Sequence, residues 1–166
     1  MIVFNSSTLI LLAKAELLDT FLAALDDKVV IPQQVQTECC EEKRSADALL
    51  IQRVIQERKI FVQPLKDKRL YMKLLADFPL GKGEAEALAL AVSQTARLFA
   101  TDDKRAIQAS KLLKVPFTTA LAILVRMYEK GLLEKREARA KLEALRKHGR
   151  YKKEIIEDAK SRLKVR

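Results

Sequence analysis

The sequence contains little cysteine and histidine, and this scarcity excludes several kinds of site. The cysteines of the 166-residue chain are the neighbours Cys39 and Cys40, whose Cα atoms lie about 3.8 Å apart across a trans peptide, closer than ordinary disulfide geometry allows. We therefore expect reduced thiols, and one adjacent pair also lacks the spaced cysteines of a zinc site. The single histidine, His148, lies in the basic tail, so we expect a surface residue rather than a member of a Ser/His or Cys/His catalytic pair.

Long apolar runs and glycine-rich nucleotide motifs are also missing. The run LILLA ends at Lys14 and the run ALAILV ends at Arg126, well below the roughly 18 residues that cross a bilayer. The first residues, MIVF, begin without a basic segment, so we expect no secretory signal, no membrane association and a cytoplasmic protein. Gly81 and Gly83 lack the third glycine and the preceding strand of a dinucleotide-binding motif, and there is no P-loop.

Positive charge is concentrated in the last part of the chain. The formal net charge is +10, and the residues from Arg126 onward hold 15 basic and 7 acidic side chains, a net charge of +8. Such a tail suits a polyanionic partner, because Lys and Arg bind phosphates without regard to sequence. Its charges are interleaved with acidic residues such as Glu134, Glu137 and Glu143, a spacing equally typical of a solvated helix face. Both interpretations of the tail stay open.

Short β-rich runs alternate with longer amphipathic runs through most of the chain. The predicted strands are Ile2–Phe4, Lys28–Ile31, Ile60–Val62, Arg97–Ala100 and Val115–Phe117. The predicted helices between them are Ser7–Ala13, Glu16–Leu25, Gln33–Glu42, Ala46–Glu57, Lys68–Phe78, Glu84–Thr95 and Lys104–Leu113. This alternation predicts an α/β fold with a mainly parallel sheet of four to five strands and helices on both faces.

The end of the chain has a different pattern, with helices and no strand between them. The predicted helices there are Thr119–Lys130, Glu134–Lys147 and Lys152–Leu163. We therefore expect an α/β domain over residues 1–118 and a basic helical extension over residues 119–166 that packs on it. Apolar positions Leu121, Leu124, Val125 and Tyr128 repeat at helical spacing, which suits either the core or a dimer surface.

Polar residues follow two of the predicted strands, where an open α/β sheet binds its ligands. The first strand leads into the run NSST at residues 5–8, and the fourth leads into TDD at residues 101–103. Two further acidic residues lie on helices: Glu38, nearly two turns after Pro32, and Glu84, close to a helix start. Glu86 lies roughly 200° around the helix from Glu84, so only one of the two can easily face a common site.

Each of these residues has a simpler structural explanation when taken singly. Asn5 or Ser6 would serve as a helix cap, and so would Asp102 before the helix at Lys104. Glu84 would complement the positive end of its helix, worth about 0.3–1 kcal/mol. Glu38 would belong to a solvated charged face with Glu41 and Glu42.

Taken together, several carboxylates around one cleft would repel each other unless a cation lay among them. Ligand sets made only of oxygen select hard Mg²⁺ or Mn²⁺. Such an ion makes phosphodiester hydrolysis the natural chemistry, because it helps to deprotonate a water, orients it and offsets charge on the phosphate. An aspartate nucleophile after the first strand is excluded, since Asn5 stands there.

Four segments of the sequence resemble a PIN domain. They are MIVFNSSTLI at the first strand, IPQQVQTE ending at Glu38, GKGEAEALALA around Glu84, and LFATDDKRA at the fourth strand. The resemblance extends over nearly the whole chain and includes the helical tail; in the most similar branch, Asn-Thr-Ser or Asn-Ser-Ser often replaces an aspartate. PIN domains are Mg²⁺- or Mn²⁺-dependent ribonucleases, and many small prokaryotic members are VapC-like toxins. The resemblance therefore implies a three-layer PIN-like fold, an endoribonuclease acting on single-stranded RNA, a toxin role with an antitoxin partner, and a homodimer.

The resemblance also implies roles for individual residues. Glu38, Glu84 and Asp103 match three catalytic acidic positions, and Asn5 occupies the fourth. Because Asn5 offers a neutral amide oxygen in place of a carboxylate, we expect weaker metal binding. Two interpretations remain: a nuclease of lower metal affinity, or a catalytically weakened module that binds RNA or protein.

The residues around these acids supply further candidate ligands and supporting groups. Asp103 fits the family's Thr-x-Asp spacing counted from Thr101, and Asp102 is an additional carboxylate that could bind the metal instead. The hydroxyl groups of Ser6, Ser7 and Thr101 would orient the carboxylates or a water molecule.

Overall fold

The structure, a computed structural model, describes residues 1–41 and 44–164. Its strands are β1 (Ile2–Phe4), β2 (Val29–Ile31), β3 (Phe61–Val62), β4 (Leu98–Ala100) and β5 (Phe117–Thr118). Its helices are α1 (Ser6–Lys14), α2 (Leu18–Ala24), α3 (Gln33–Gln36), which a π-helical turn (Thr37–Glu41) continues, α4 (Ala46–Gln56), α5 (Arg69–Asp77), α6 (Lys82–Ser93), α7 (Lys104–Leu112), α8 (Ala120–Glu129), α9 (Lys135–His148) and α10 (Lys153–Arg162). Glu42, the last residue of the helix predicted over Gln33–Glu42, and residues 165–166 of the predicted extension lie outside the described residues.

All five strands are parallel, in the order β3-β2-β1-β4-β5. The central strand β1 pairs with β2 and β4, and Phe4 lies opposite Ala100 on β4. β1 and β2 are buried along their whole length, as expected for a parallel sheet covered on both faces. The predicted α/β class and the parallel five-strand sheet are confirmed, and the carboxyl ends of all strands meet at one edge.

Two groups of helices cover the sheet and complete a three-layer fold. α1 packs against α4, α8 and α9, whereas α6 packs against β1, β4, α5 and α7. Small residues on α6, including Ala87 and Ala91, are buried, and the helix packs on the central strands β1 and β4. α6 and α3 also contact each other at the edge where the strands end.

The tail helices share the core of the α/β body. Leu124, Leu142 and Leu145 are buried in the same apolar cluster as Phe4 and Leu12. On α8, positions 121, 124 and 125 are buried and position 128 is half-buried, so this face belongs to the core. Among the described residues, every helix falls short of the length and apolar character that a bilayer crossing requires.

Polar residues cap three of the described helices that begin near the sheet edge. Thr119 caps α8, because its Oγ1 accepts a hydrogen bond from the backbone N–H of Ala122. Asn5 caps α1, because its Oδ1 accepts a hydrogen bond from the backbone N–H of Ser6. The cap of α7 is Asp103, whose Oδ1 accepts from the backbone N–H of Ala106 at 2.9 Å. The expectation that Asp102 caps this helix is therefore wrong: α7 begins at residue 104, so the cap falls on the second aspartate.

Candidate functional site

The buried side chain of Asn5 links the ends of β1 and β4. Its Nδ2 donates a hydrogen bond of 3.0 Å to Oγ1 of Thr101, while its Oδ1 accepts one of 2.8 Å from the backbone N–H of Ser6. Thr101 Oγ1 also accepts from the backbone N–H of Asp103 at 3.2 Å. Asn5 and Thr101 are both fully buried. The two polar runs that follow these strands therefore meet at one point.

Glu38 approaches this point from the π-helical turn after α3. The hydroxyl of Ser6 donates a hydrogen bond of 2.8 Å to Oε2 of Glu38. The carboxylate also lies against α6 at Gly83, where an added Cβ would come within 2.3 Å of Oε1. The π-helical geometry fits a functional position, since such turns are frequent at functional sites.

Glu84 lies in the first turn of α6 and is half-buried. Burial raises the pKa of its carboxyl group, and the negative charges of Asp103 and Glu38 raise it further, against hydrogen bonds from the backbone that lower it. The three carboxylates come from three different elements, and their charges act on one another. The ionised form of Glu84 is therefore disfavoured unless a cation offsets this charge.

Glu86, two residues farther along α6, lines a different feature. It borders a polar cleft of about 560 Å³ between α3, α5 and α6, together with Thr37, Tyr71 and Lys82. Thr37 directly precedes Glu38 in the chain, so the cleft adjoins the carboxylate cluster. As the helical spacing predicted, only Glu84 of the two acidic residues takes part in the cluster.

Asp102 and Asp103 are neighbours in the chain but take part in different contacts. Oδ1 of Asp102 accepts hydrogen bonds from the hydroxyl of Thr8 at 2.6 Å and from the backbone N–H of Ala120 at 2.9 Å. Its Oδ2 accepts from the hydroxyl of Tyr151. Both carboxylate oxygens of Asp102 are thus engaged, and they join α1, the start of α8 and the segment before α10.

Three hydroxyl groups hold this aspartate loop, and two of them were not predicted. Ser7 Oγ accepts a hydrogen bond of 3.0 Å from the backbone N–H of Asp102, whereas the role predicted for Ser7 was to orient a carboxylate or a water molecule. Thr8 and Tyr151 were missed. Burial and the charge of Asp102 raise the pKa of Tyr151, which keeps its proton as the donor. Thr8 could have been predicted from the sequence, because it belongs to the polar run after β1. The contact of Tyr151 depends on the path of the tail and could not.

The side chains at the sheet edge offer oxygen donors. They are the carboxylates of Glu38, Glu84 and Asp103 and the amide oxygen of Asn5. The histidine of the chain, His148, is exposed in the tail. In the described parts of the chain, no group of three or more His, Cys, Asp or Glu side chains is arranged to hold a metal ion. In donor type, however, the cluster fits a hard divalent cation such as Mg²⁺ or Mn²⁺.

Two buried cysteines follow the cluster residue Glu38 in the chain. Cys39 and Cys40 follow Glu38 and lie in the core. Burial and the charge of Glu41 raise the pKa of Cys40, so this residue is a neutral thiol at neutral pH.

One family model matches almost the whole chain. The model described as "DUF3368: PIN domain" matches residues 1–164. No curated protein and no solved structure matches the chain significantly. The matched range includes the strand ends, the acidic residues and the helical extension.

Proposed function

The chain belongs to the PIN-domain superfamily, and from this premise we propose that it is a metal-dependent endoribonuclease that hydrolyses phosphodiester bonds of single-stranded RNA. Membership by itself indicates a nuclease-type function. The observation that supports the finer proposal is the cluster of Glu38, Glu84 and Asp103, in which burial and the charges of the other two carboxylates raise the pKa of Glu84. A carboxylate cluster at the carboxyl edge of a parallel sheet is suited to hold a cation that binds phosphate.

The cofactor of this proposal is Mg²⁺ or Mn²⁺, held by Glu38, Glu84 and Asp103. Mg²⁺ keeps several of its waters and is usually bound by one or two carboxylates together with substrate phosphates, so direct contact with all three is not required. When bound, the ion helps to deprotonate the attacking water and offsets charge on the phosphate and the leaving oxygen.

The neighbouring polar side chains would keep these carboxylates in position. Ser6 restrains Glu38 through the 2.8 Å hydrogen bond to Oε2. Thr101 restrains the start of α7, because its Oγ1 accepts a hydrogen bond from the backbone N–H of Asp103. The amide of Asn5 connects Ser6 with Thr101, since its Oδ1 accepts from the backbone N–H of Ser6 and its Nδ2 donates to Thr101 Oγ1. Such restraint matters because groups that support metal ligands typically change affinity or activity about 10–100-fold when they are removed.

The test is cleavage of end-labelled single-stranded RNA by the purified full chain, with Mn²⁺ or with EDTA. We expect cleavage with Mn²⁺, none with EDTA, and a loss of at least about 100-fold in Glu38→Gln and Asp103→Asn. Glu137→Gln, in the exposed first turn of α9, is the matched control and should retain activity. Cleavage that persists in EDTA, or in both site variants, would overturn the metal mechanism.

Asn5 favours a second candidate function, a PIN-like module that binds RNA or protein and has lost most of its chemistry. Its amide already caps α1 and bonds to Thr101, and it contributes no negative charge to the cluster. In that case the same assay would give salt-dependent RNA binding without cleavage under Mg²⁺ or Mn²⁺. Asp102 does not compensate readily for the missing charge, because both of its oxygens accept other hydrogen bonds.

Family membership also leads us to propose a toxin role, with a homodimer and an antitoxin protein as partners. A protein encoded next to this chain that binds it and blocks cleavage would support the toxin role. Light scattering of the purified chain would test the homodimer.

A further inference from the structure

Residues 147–153 form a basic segment at the junction of α9 and α10. The segment reads KHGRYKK and contains Lys147, Arg150, Lys152 and Lys153 without any acidic residue. These four side chains are exposed, and none forms an ion pair with another described residue. Three basic residues near the segment are paired instead: Arg146 with Glu143, Lys160 with Glu157 and Arg162 with Asp158. The basic segment is therefore a local concentration of unpaired positive charge.

A hydrogen bond fastens this segment to the edge of the carboxylate cluster. The hydroxyl of Tyr151, in the middle of the segment, donates to Oδ2 of Asp102, which directly precedes Asp103. The Tyr151 ring also packs on the backbone of Gly149, where an added Cβ would lie 2.4 Å from a ring carbon. The positive charges that flank Tyr151 are thus held beside the candidate site.

Helices α8 and α9 carry three other basic residues, Lys130, Lys135 and Arg136, away from the site. α8 begins at Ala120, whose N–H bonds to the same Asp102, and its ten residues span about 15 Å. α9 packs along α8 and returns over 14 residues, about 21 Å, to the basic segment. Lys130, Lys135 and Arg136, at the turn between these helices, therefore lie roughly 15–20 Å farther from Asp102.

We propose that the basic segment binds the phosphate backbone of the RNA substrate and holds it against the carboxylate cluster. The inference rests on the proposed function, since it names the part of the chain that binds that substrate. Exposed Lys and Arg side chains bind phosphates electrostatically, and such contacts fix the position of a strand rather than read its sequence. The cluster itself is negative and repels RNA, so substrate binding needs a positive surface next to it.

The experiment measures binding of a fluorescein-labelled 12-nucleotide RNA to the full chain by anisotropy, in EDTA and over a range of NaCl concentrations. The segment variant replaces Lys147, Arg150 and Lys153 with Gln, and the control variant replaces Lys130, Lys135 and Arg136 with Gln. Both variants lose the same charge, from two lysines and one arginine. Far-ultraviolet circular dichroism and thermal unfolding of each variant verify the fold.

We expect the segment variant to lose at least about tenfold in affinity for the RNA at moderate salt. The slope of log K against log [NaCl] should decrease in magnitude by about 2, because each of the three lost phosphate contacts on a single strand contributes about 0.7. The control variant should bind within about twofold of wild type. An equal loss in both variants, or no loss in the segment variant, would overturn the proposal. A labelled polyglutamate that binds as tightly as the RNA would also overturn it, because it would show a general acidic partner.

The result is separable from the proposed function because binding is measured without metal. If wild type binds RNA through the segment but never cleaves it, the nuclease proposal fails and this inference stands. If wild type cleaves RNA and the segment variant binds normally, only this inference fails.

Discussion

The carboxylate of Glu38 lies directly against the backbone of Gly83, at the contact between the π-helical turn and α6. A Cβ at this glycine would lie 2.3 Å from Oε1 and 2.4 Å from Oε2, which is closer than real Cβ contacts allow. The side chain of Glu38 must therefore move if residue 83 acquires a Cβ atom. This relationship offers a way to displace the carboxylate without removing it.

Gly83→Ala should reduce RNA cleavage with Mn²⁺ by at least about tenfold, because the added methyl group moves Glu38 away from Ser6 and the other carboxylates. The helix propensity of the new residue should not destabilise α6, since Ala is favoured over Gly in a helix by about 0.8–1 kcal/mol. Binding of RNA in EDTA should stay within about twofold of wild type. Ser93→Ala, at the other end of α6, is the control and should cleave normally; normal cleavage by Gly83→Ala would contradict the placement of Glu38 in the site.

The two neighbouring aspartates should respond differently to the same substitution. Asp102→Asn disturbs hydrogen bonds from Thr8, Ala120 and Tyr151, and bonds to a charged group contribute about 1.5–3 kcal/mol each. We expect the free energy of unfolding of this variant to fall by about 1.5–3 kcal/mol in urea titrations with EDTA. Mn²⁺ affinity, measured by calorimetry under conditions where the variant is folded, should change less than about threefold.

For Asp103→Asn we expect the opposite pair of results. Asn caps a helix about as well as Asp, so the bond to the N–H of Ala106 is kept and stability should change by less than about 0.5 kcal/mol. Mn²⁺ affinity should fall at least about tenfold, because a carboxylate of the cluster is lost. If Asp102→Asn weakens Mn²⁺ binding more than Asp103→Asn does, the assignment of Asp103 as the ligand is wrong.

Much of this architecture could be predicted from the sequence, because it depends on local patterns. The predicted bounds of β1, Ile2–Phe4, agree fully with the structure, and β4 differs only at its first residue. Alternating strands and helices imply a parallel sheet, and a parallel sheet brings the residues after its central strands together. The contact between Asn5 and Thr101 follows from that rule.

Other parts of the site depend on packing between distant segments, which no local pattern encodes. Tyr151 reaches Asp102 only because α8 and α9 lead the chain away and back again. The contacts of Asp102 also depend on such packing, since Thr8, Ala120 and Tyr151 come from three other segments of the chain. The restraint on Glu38 by Gly83 likewise needs the contact between two helices.

The raised pKa of Glu84 predicts how stability depends on pH. The folded-state pKa lies above the usual value of 4.5, so the contribution of this group to stability is complete below 4.5 and is lost as pH rises through the raised value. Glu84→Gln cannot ionise and avoids this loss. Between about pH 4 and about pH 7 in EDTA, the free energy of unfolding of the variant should therefore rise relative to that of wild type.

Mn²⁺ should reverse this difference, because a cation stabilises the ionised Glu84 and its neighbours Glu38 and Asp103. At neutral pH, saturating Mn²⁺ should raise the Tm of wild type more than that of Glu84→Gln. Glu137→Gln is the control and should follow wild type in both solutions. A wild type that gains no more from Mn²⁺ than the variant would contradict a role of Glu84 in holding the ion.

Asn5→Asp tests whether the missing negative charge limits the site. The carboxylate of Asp can still cap α1, but it adds a buried charge to a cluster that already holds Glu38, so stability in EDTA should fall. Mn²⁺ affinity should rise by about tenfold, since a carboxylate is a stronger ligand for a hard cation than an amide oxygen. Gln108→Glu adds the same charge on an exposed part of α7 and should change neither quantity appreciably. Asp also lacks the Nδ2 donor that bonds to Thr101, so the loss of stability in EDTA includes that hydrogen bond. An unchanged Mn²⁺ affinity would remove Asn5 from the set of groups that hold the ion.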